Sequence, residues 1–126
     1  MKLKTVLVFN AIAALVFGIS SVLVPATVGG LYGLTQSPST ILMGQFFGVE
    51  LIGVGLICWL IRDVVEPRFQ RPIILSLLIS DIIGVIVAVL GTTSGVMSAM
   101  GWSSVAIYLL LAFGYGFFLI GKPSSS

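Results

Sequence analysis

The chain has 126 residues, of which 58% are hydrophobic and 8% charged, with a mean hydropathy of +1.22 and a formal net charge of +2. Six basic and four acidic side chains are too few to coat a soluble 13.3 kDa globule, since about a quarter of the residues of an ordinary soluble domain are charged. One cysteine and no histidine exclude a disulfide scaffold and the usual zinc, iron–sulfur and haem ligand sets, and six basic residues make no face for nucleic acid.

A spanning helix needs about 20 mostly apolar residues, and four stretches supply them. The first runs from Thr5 to Val24 and is stopped by Pro25. Its leader, Met1-Lys2-Leu3-Lys4, resembles the start of a signal peptide. The apolar run is longer than the 7–15 residues of a signal h-region, so the sequence predicts a retained helix. The second stretch runs from Thr40 to Ile61, with Ser39 or Thr40 as its cap. The third runs from Ile73 to Leu90, with Pro72 just before it, where a missing N–H costs nothing. The fourth runs from Ser103 to Ile120, capped by Ser103 or Ser104 and stopped by Gly121. Continuous apolar runs, not alternating ones, make strands a poor alternative. The expected fold is all-α: one four-helix transmembrane bundle over residues 1–126, with no soluble domain.

The charges orient the bundle. Lys2 and Lys4 precede the first helix, Arg62, Arg68 and Arg71 lie between the second and third, and Lys122 follows the fourth. The other two connections, Pro25–Ser39 and Gly91–Trp102, carry no charge. The positive-inside rule then predicts both termini in the cytoplasm and a multi-pass protein of the inner (plasma) membrane. The uncharged connections are rich in glycine and apolar residues and are expected to lie on the outer leaflet as a loose interfacial cover. Each half repeats one plan: a helix outward, a glycine-rich connection, a helix back.

Small residues let helix backbones approach in lipid, where apolar surface gives no drive to associate. The second helix carries Gly44 and Gly48 in a GxxxG, with Gly55 seven residues on. The third carries Gly84 and Ala88 in a stripe with Ser76 and Ser80, and the first carries Ala14 and Gly18 with Ala11 and Ser21 on the same stripe. The fourth has Ala112 and Gly116. These stripes are read as the packing seams of the bundle, with a homodimer seam on the second helix as the alternative.

Two acids stand inside the spans. Counted from the cytoplasmic helix ends, Glu50 and Asp81 lie about 16 Å and 12 Å deep at 1.5 Å per residue, close to the midplane of a core about 30 Å thick. No Lys or Arg lies at that depth. An ionised carboxylate there costs roughly 2.5–3.5 kcal/mol on insertion scales. The expectation is that the second and third helices are antiparallel neighbours, that at least one acid is protonated, and that it bonds to the other. Gln45, Ser80, Asn10, Tyr108 and Tyr115 are candidate further partners. The pair is read either as a functional site or as an interhelical clamp.

Several motifs together resemble a family of small bacterial and archaeal four-helix membrane proteins without an assigned function. They are Gly18 followed by Pro25, Leu31-Tyr32-Gly33-Leu34, Gly53-Val54-Gly55-Leu56 leading to Trp59-Leu60-Ile61-Arg62, and above all Gly101-Trp102-Ser103-Ser104-Val105-Ala106-Ile107-Tyr108. The likeness covers nearly the whole chain and implies the four-helix topology without an activity. Small multidrug exporters are similar in length, but their essential glutamate lies in the first helix, whereas Glu50 is in the second. Membrane thiol oxidoreductases need paired cysteines. No nucleophile–base set, metal set or phosphate loop is present in the sequence. The functional expectation is therefore a protein without enzymatic chemistry, cofactor or metal. In the leading reading it is an accessory subunit of a larger membrane complex or a small homo-oligomer in the lipid bilayer. The alternative is a proton- or cation-coupled small transporter or channel using Glu50 and Asp81.

Overall fold

The computed structural model describes residues 2–121; Lys122, one of the six basic residues that set the expected orientation, lies outside them. Five helices follow one another: α1 (Leu3–Leu23), α2 (Pro25–Leu31), α3 (Pro38–Leu60), α4 (Pro67–Thr93) and α5 (Gly101–Ile120). Four of them, α1, α3, α4 and α5, are long and apolar enough to cross a membrane. Their outer surfaces suit that medium: Leu60, Phe113, Phe117 and Ile120 are 70% or more exposed, an apolar display that water would penalise at about 25 cal/mol per Å².

Helix α2 and the start of α4 depart from the sequence expectation. Pro25 ends α1 because it has no N–H, yet its fixed φ suits the first turn of a new helix, and α2 starts there at once. This short helix closes in a Schellman motif. Leu34 N–H donates to Gly29 O and Gly33 N–H to Gly30 O, both at 3.0 Å, with Gly33 at φ 72 in the left-handed region that favours glycine. Helix α4 begins six residues before the expected Ile73. Pro67 takes the first position, Glu66 O accepts from Phe69 and Gln70 N–H, and Pro72 is carried inside the helix. Tertiary bonds hold this early turn, with Gln70 Nε2 donating to Val64 O (2.8 Å) and Arg71 to Leu119 O (2.8 Å).

The caps also move. Ser37, and neither Ser39 nor Thr40, caps α3 by accepting from Thr40 N–H at 3.2 Å. Helix α5 starts at Gly101 without a side-chain cap, because Ser103 donates to Met100 O and Ser104 bonds to the Tyr32 hydroxyl.

Packing is by pairs. Helix α1 packs along α3, α4 packs along α5, and α1 also touches α5. The consecutive helices α3 and α4, expected to be neighbours, make no such close approach. Glycines explain the first pair. A Cβ on Gly18 would come within 2.8 Å of Gly48 O, and one on Gly48 within 2.6 Å of Gly18 O, so the two backbones sit closer than any side chain allows. Gly55 continues the seam against Leu15. The GxxxG of α3 thus has its Gly48 face taken up within the chain, while Gly44 meets only Pro25 at 3.9 Å. In the second pair Gly84 lies against the Tyr108 ring, where a Cβ would come within 2.7 Å.

The four long helices converge at the end that carries the charges. Leu3, Leu7, Ile74, Leu111 and Phe118 form the core there. Lys4 pairs with Asp63 at 2.9 Å, both well exposed, and Arg62 stacks over Trp59 at 3.8 Å. The hydrogen bond from Lys4 holds the Asp63 carboxyl below its ordinary range. Whatever this contact adds to stability is present above the ordinary carboxylate range and lost as pH falls through the lowered value. At such exposure it is a small term. At the opposite end the two uncharged connections hold each other. Ser98 N–H donates to Tyr32 O (2.7 Å), Ser98 Oγ donates to Leu31 O (3.0 Å), and Tyr32 and Ser104 share a hydrogen bond of 3.0 Å. The expected loose cover is a hydrogen-bonded clasp.

Candidate functional site

Tied at both ends and unpacked between α3 and α4, the two helix pairs leave a cleft between them. Its middle part is a cavity of about 240 Å³ with walls from all four long helices. Asn10, Ala14 and Phe17 come from α1, Phe47, Glu50 and Val54 from α3, Ser80 and Asp81 from α4, and Ser104 and Tyr108 from α5. A second cavity of about 240 Å³ lies towards the clasp. The two meet at Phe17, Phe47, Ser104 and Tyr108.

The acids share this cleft but not a bond. Asp81 is 6% exposed, and its Oδ2 is buried without a hydrogen-bond partner. Glu50 lies on the facing wall and is exposed. No hydrogen bond joins the two carboxyls among the described residues, contrary to the expected direct pairing. The cause is the helix pairing: the Gly18–Gly48 seam draws α3 to α1, and the Gly84–Tyr108 contact draws α4 to α5. A buried carboxyl oxygen without a donor is costly.

The candidate polar partners fall elsewhere. Asn10 Nδ2 donates to the Tyr115 hydroxyl at 2.6 Å, and Tyr115 is fully buried. Cys58 Sγ lies 3.9 Å from the same hydroxyl. This buried network ties α1, α3 and α5 together, and Asn10 is also part of the cavity wall. Gln45 donates to Val22 O at 3.2 Å, within the α1–α3 pair. Ser80 is exposed on the α4 wall, and Tyr108 lines both cavities.

Sequence reasoning placed Ser21 on the small-residue stripe of the first helix and Ser104 at a helix cap but read neither as a site residue, and it did not read Phe17 and Phe47 as site residues either. Ser21 lines the cavity towards the clasp at 2% exposure, with its hydroxyl unpartnered. It stands on the same face of the first helix as Ala14 and Gly18, at four- and three-residue spacing, which was the signal available for it. Ser104 read equally well as a helix cap. Among the described residues no group of three or more His, Cys, Asp or Glu is placed to hold a metal ion.

Compared with known proteins, the chain matches no family model, no curated protein and no solved structure. The family resemblance therefore rests on the motifs quoted above alone.

Proposed function

We propose that the protein is a small non-enzymatic transporter or channel of the inner membrane that couples protons or cations to the carboxyls of Asp81 and Glu50. The observation that carries this reading is the unpartnered, buried Asp81 Oδ2 in a cleft whose opposite wall bears Glu50. Ionising Asp81 in so apolar a surrounding requires a cation or water in the cleft; protonation returns it to a neutral, dry state. The titratable groups around Asp81 are Glu50 and Cys58 from α3 and Tyr108 and Tyr115 from α5, while α1 contributes the neutral Asn10. No basic side chain is among them, so the carboxyls lack a resident counter-charge.

In liposomes under an imposed pH or cation gradient, the wild type should carry a flux that Asp81→Asn and Glu50→Gln abolish. A second reading, an accessory subunit or homo-oligomer, is favoured by the unpacked α3–α4 side, which a partner helix would cover. Under it, wild-type liposomes carry no flux, and gently extracted protein has the native mass of several copies or of a mixed complex. Flux from a strictly monomeric particle overturns that second reading.

The proposed arrangement is a four-helix bundle with both termini and the Arg62–Arg71 segment in the cytoplasm. It is supported by the Lys4–Asp63 and Arg71–Leu119 contacts, which gather the charges at one end. Cysteine placed at Ser94 should be labelled from outside by an impermeant maleimide, and cysteine at Arg68 only after the membrane is opened. The reverse pattern means that the chain is inserted the other way up.

A further inference from the structure

We infer that the cleft is a binding site for an apolar organic ammonium ion of about one aromatic ring, which enters sideways from the lipid between α3 and α4. This rests on the reading of the cleft acids as a cation site and adds the class of cation.

Four observations lead to it. Asp81 lines the cavity and is more than nine-tenths buried, and its Oδ2 is an acceptor without a donor. A protonated amine supplies both the missing N–H and the missing positive charge in one charge-assisted hydrogen bond. Most of the remaining wall is apolar, with the aromatic side chains Phe17, Phe47 and Tyr108. Such a wall suits the body of an amine and adds cation–π attraction for its head, whereas Ca²⁺ takes six to eight oxygen ligands. Oxygens here are spread over four helices, and no metal-holding group of acids exists among the described residues.

Size agrees. A cavity of about 150 Å³ holds benzene, so about 240 Å³ leaves room for one ring plus an ammonium head. The route follows from the packing. The charged end is filled by the Leu7, Ile74 and Tyr115 core, and the other end is crossed by the Ser98–Tyr32 clasp. The α3–α4 side lacks close packing, and Glu50 and Ser80 on its two walls are exposed. An amine crossing the bilayer reaches the acids from this side.

The test is calorimetric binding of benzylammonium to the purified full chain in a maltoside detergent. Benzyl alcohol serves as the uncharged control and potassium chloride as the inorganic one. Saturable one-site binding of benzylammonium is expected, without comparable binding of the alcohol. Asp81→Asn should weaken it at least about tenfold, as expected when a charge partner is lost in a low-dielectric site. Glu50→Gln, on an exposed position that the fold does not need, should weaken it by a smaller factor. Binding that is unchanged in both variants, or equal for the alcohol, overturns the inference, as does stoichiometric displacement by potassium at constant ionic strength. The liposome measurement separates the two claims. Asp81-dependent flux without benzylammonium binding removes the ammonium site and keeps the transporter; binding without flux removes the transporter and keeps the site.

Discussion

Gly48→Ala should destabilise the protein by about 1–3 kcal/mol, the range for overfilling a packed interior, and Gly48→Leu should prevent α1 and α3 from pairing. The added Cβ would meet Gly18 O at 2.6 Å, Ser21 Cβ at 2.9 Å and Val22 Cγ2 at 3.0 Å. The nearest of these is backbone, which cannot turn aside as a flexible side-chain tip does, so the helices must separate along their whole seam. Gly53 supplies the control. It lies on the same helix with nothing within 4 Å of its Cβ position, and Gly53→Ala should be neutral or stabilising by up to about 1 kcal/mol through helix propensity. Thermal unfolding followed by circular dichroism in detergent reads both. If Gly48→Ala melts with the wild type, the Gly18–Gly48 contact is not what joins the pair.

Asp81→Leu should raise stability by roughly 1–3 kcal/mol while abolishing flux. The sign follows from the environment. Asp81 is 6% exposed and leaves one oxygen without a partner, and a buried unsatisfied polar group costs about 1–3 kcal/mol that an apolar side chain does not. The neighbouring cavity gives the larger side chain room. Asp81→Asn retains a polar group of the same shape and should shift the melting midpoint far less. A stabilised but inactive Asp81→Leu protein is the signature of a residue kept for function at a cost to the fold. If Asp81→Leu is instead less stable than the wild type, the carboxyl is a structural clamp and the transport reading loses its main support.

The apolar runs located four long helices because length and hydropathy are properties of each segment by itself. Their neighbours were not legible in the same way. Small-residue stripes occur on all four, so Gly48 could have faced Gly84 as readily as Gly18, and the short Arg62–Glu66 connection fixes sequence order without fixing contact. Expecting α3 beside α4 led directly to the expected bond between Glu50 and Asp81, which the structure does not contain. Helix α2 was hidden by its composition, since Gly29-Gly30 in a seven-residue helix reads as a loop until the Schellman bonds to Gly29 and Gly30 are seen. The first turn of α4 was hidden by Pro72, which ordinarily marks a helix start but is carried inside by the bonds of Gln70 and Arg71. Counting residues put the two acids at a similar level of their helices, and both line one cavity.

The pairing of α1 with α3 and of α4 with α5 also bears on biogenesis. Each pair is contiguous in the chain apart from its own uncharged connection, so each can form from contacts local in sequence, which are the ones that form fastest. As synthesis proceeds from the N-terminus, the first hairpin can close its glycine seam before the last helix has been made. The late event is then the meeting of two finished hairpins, through the Asn10–Tyr115 bond at one level and Ser98 with Tyr32 at another. A lesion in the glycine seam would strike during insertion, whereas a lesion at Tyr115 or Ser98 would strike only at assembly of the halves.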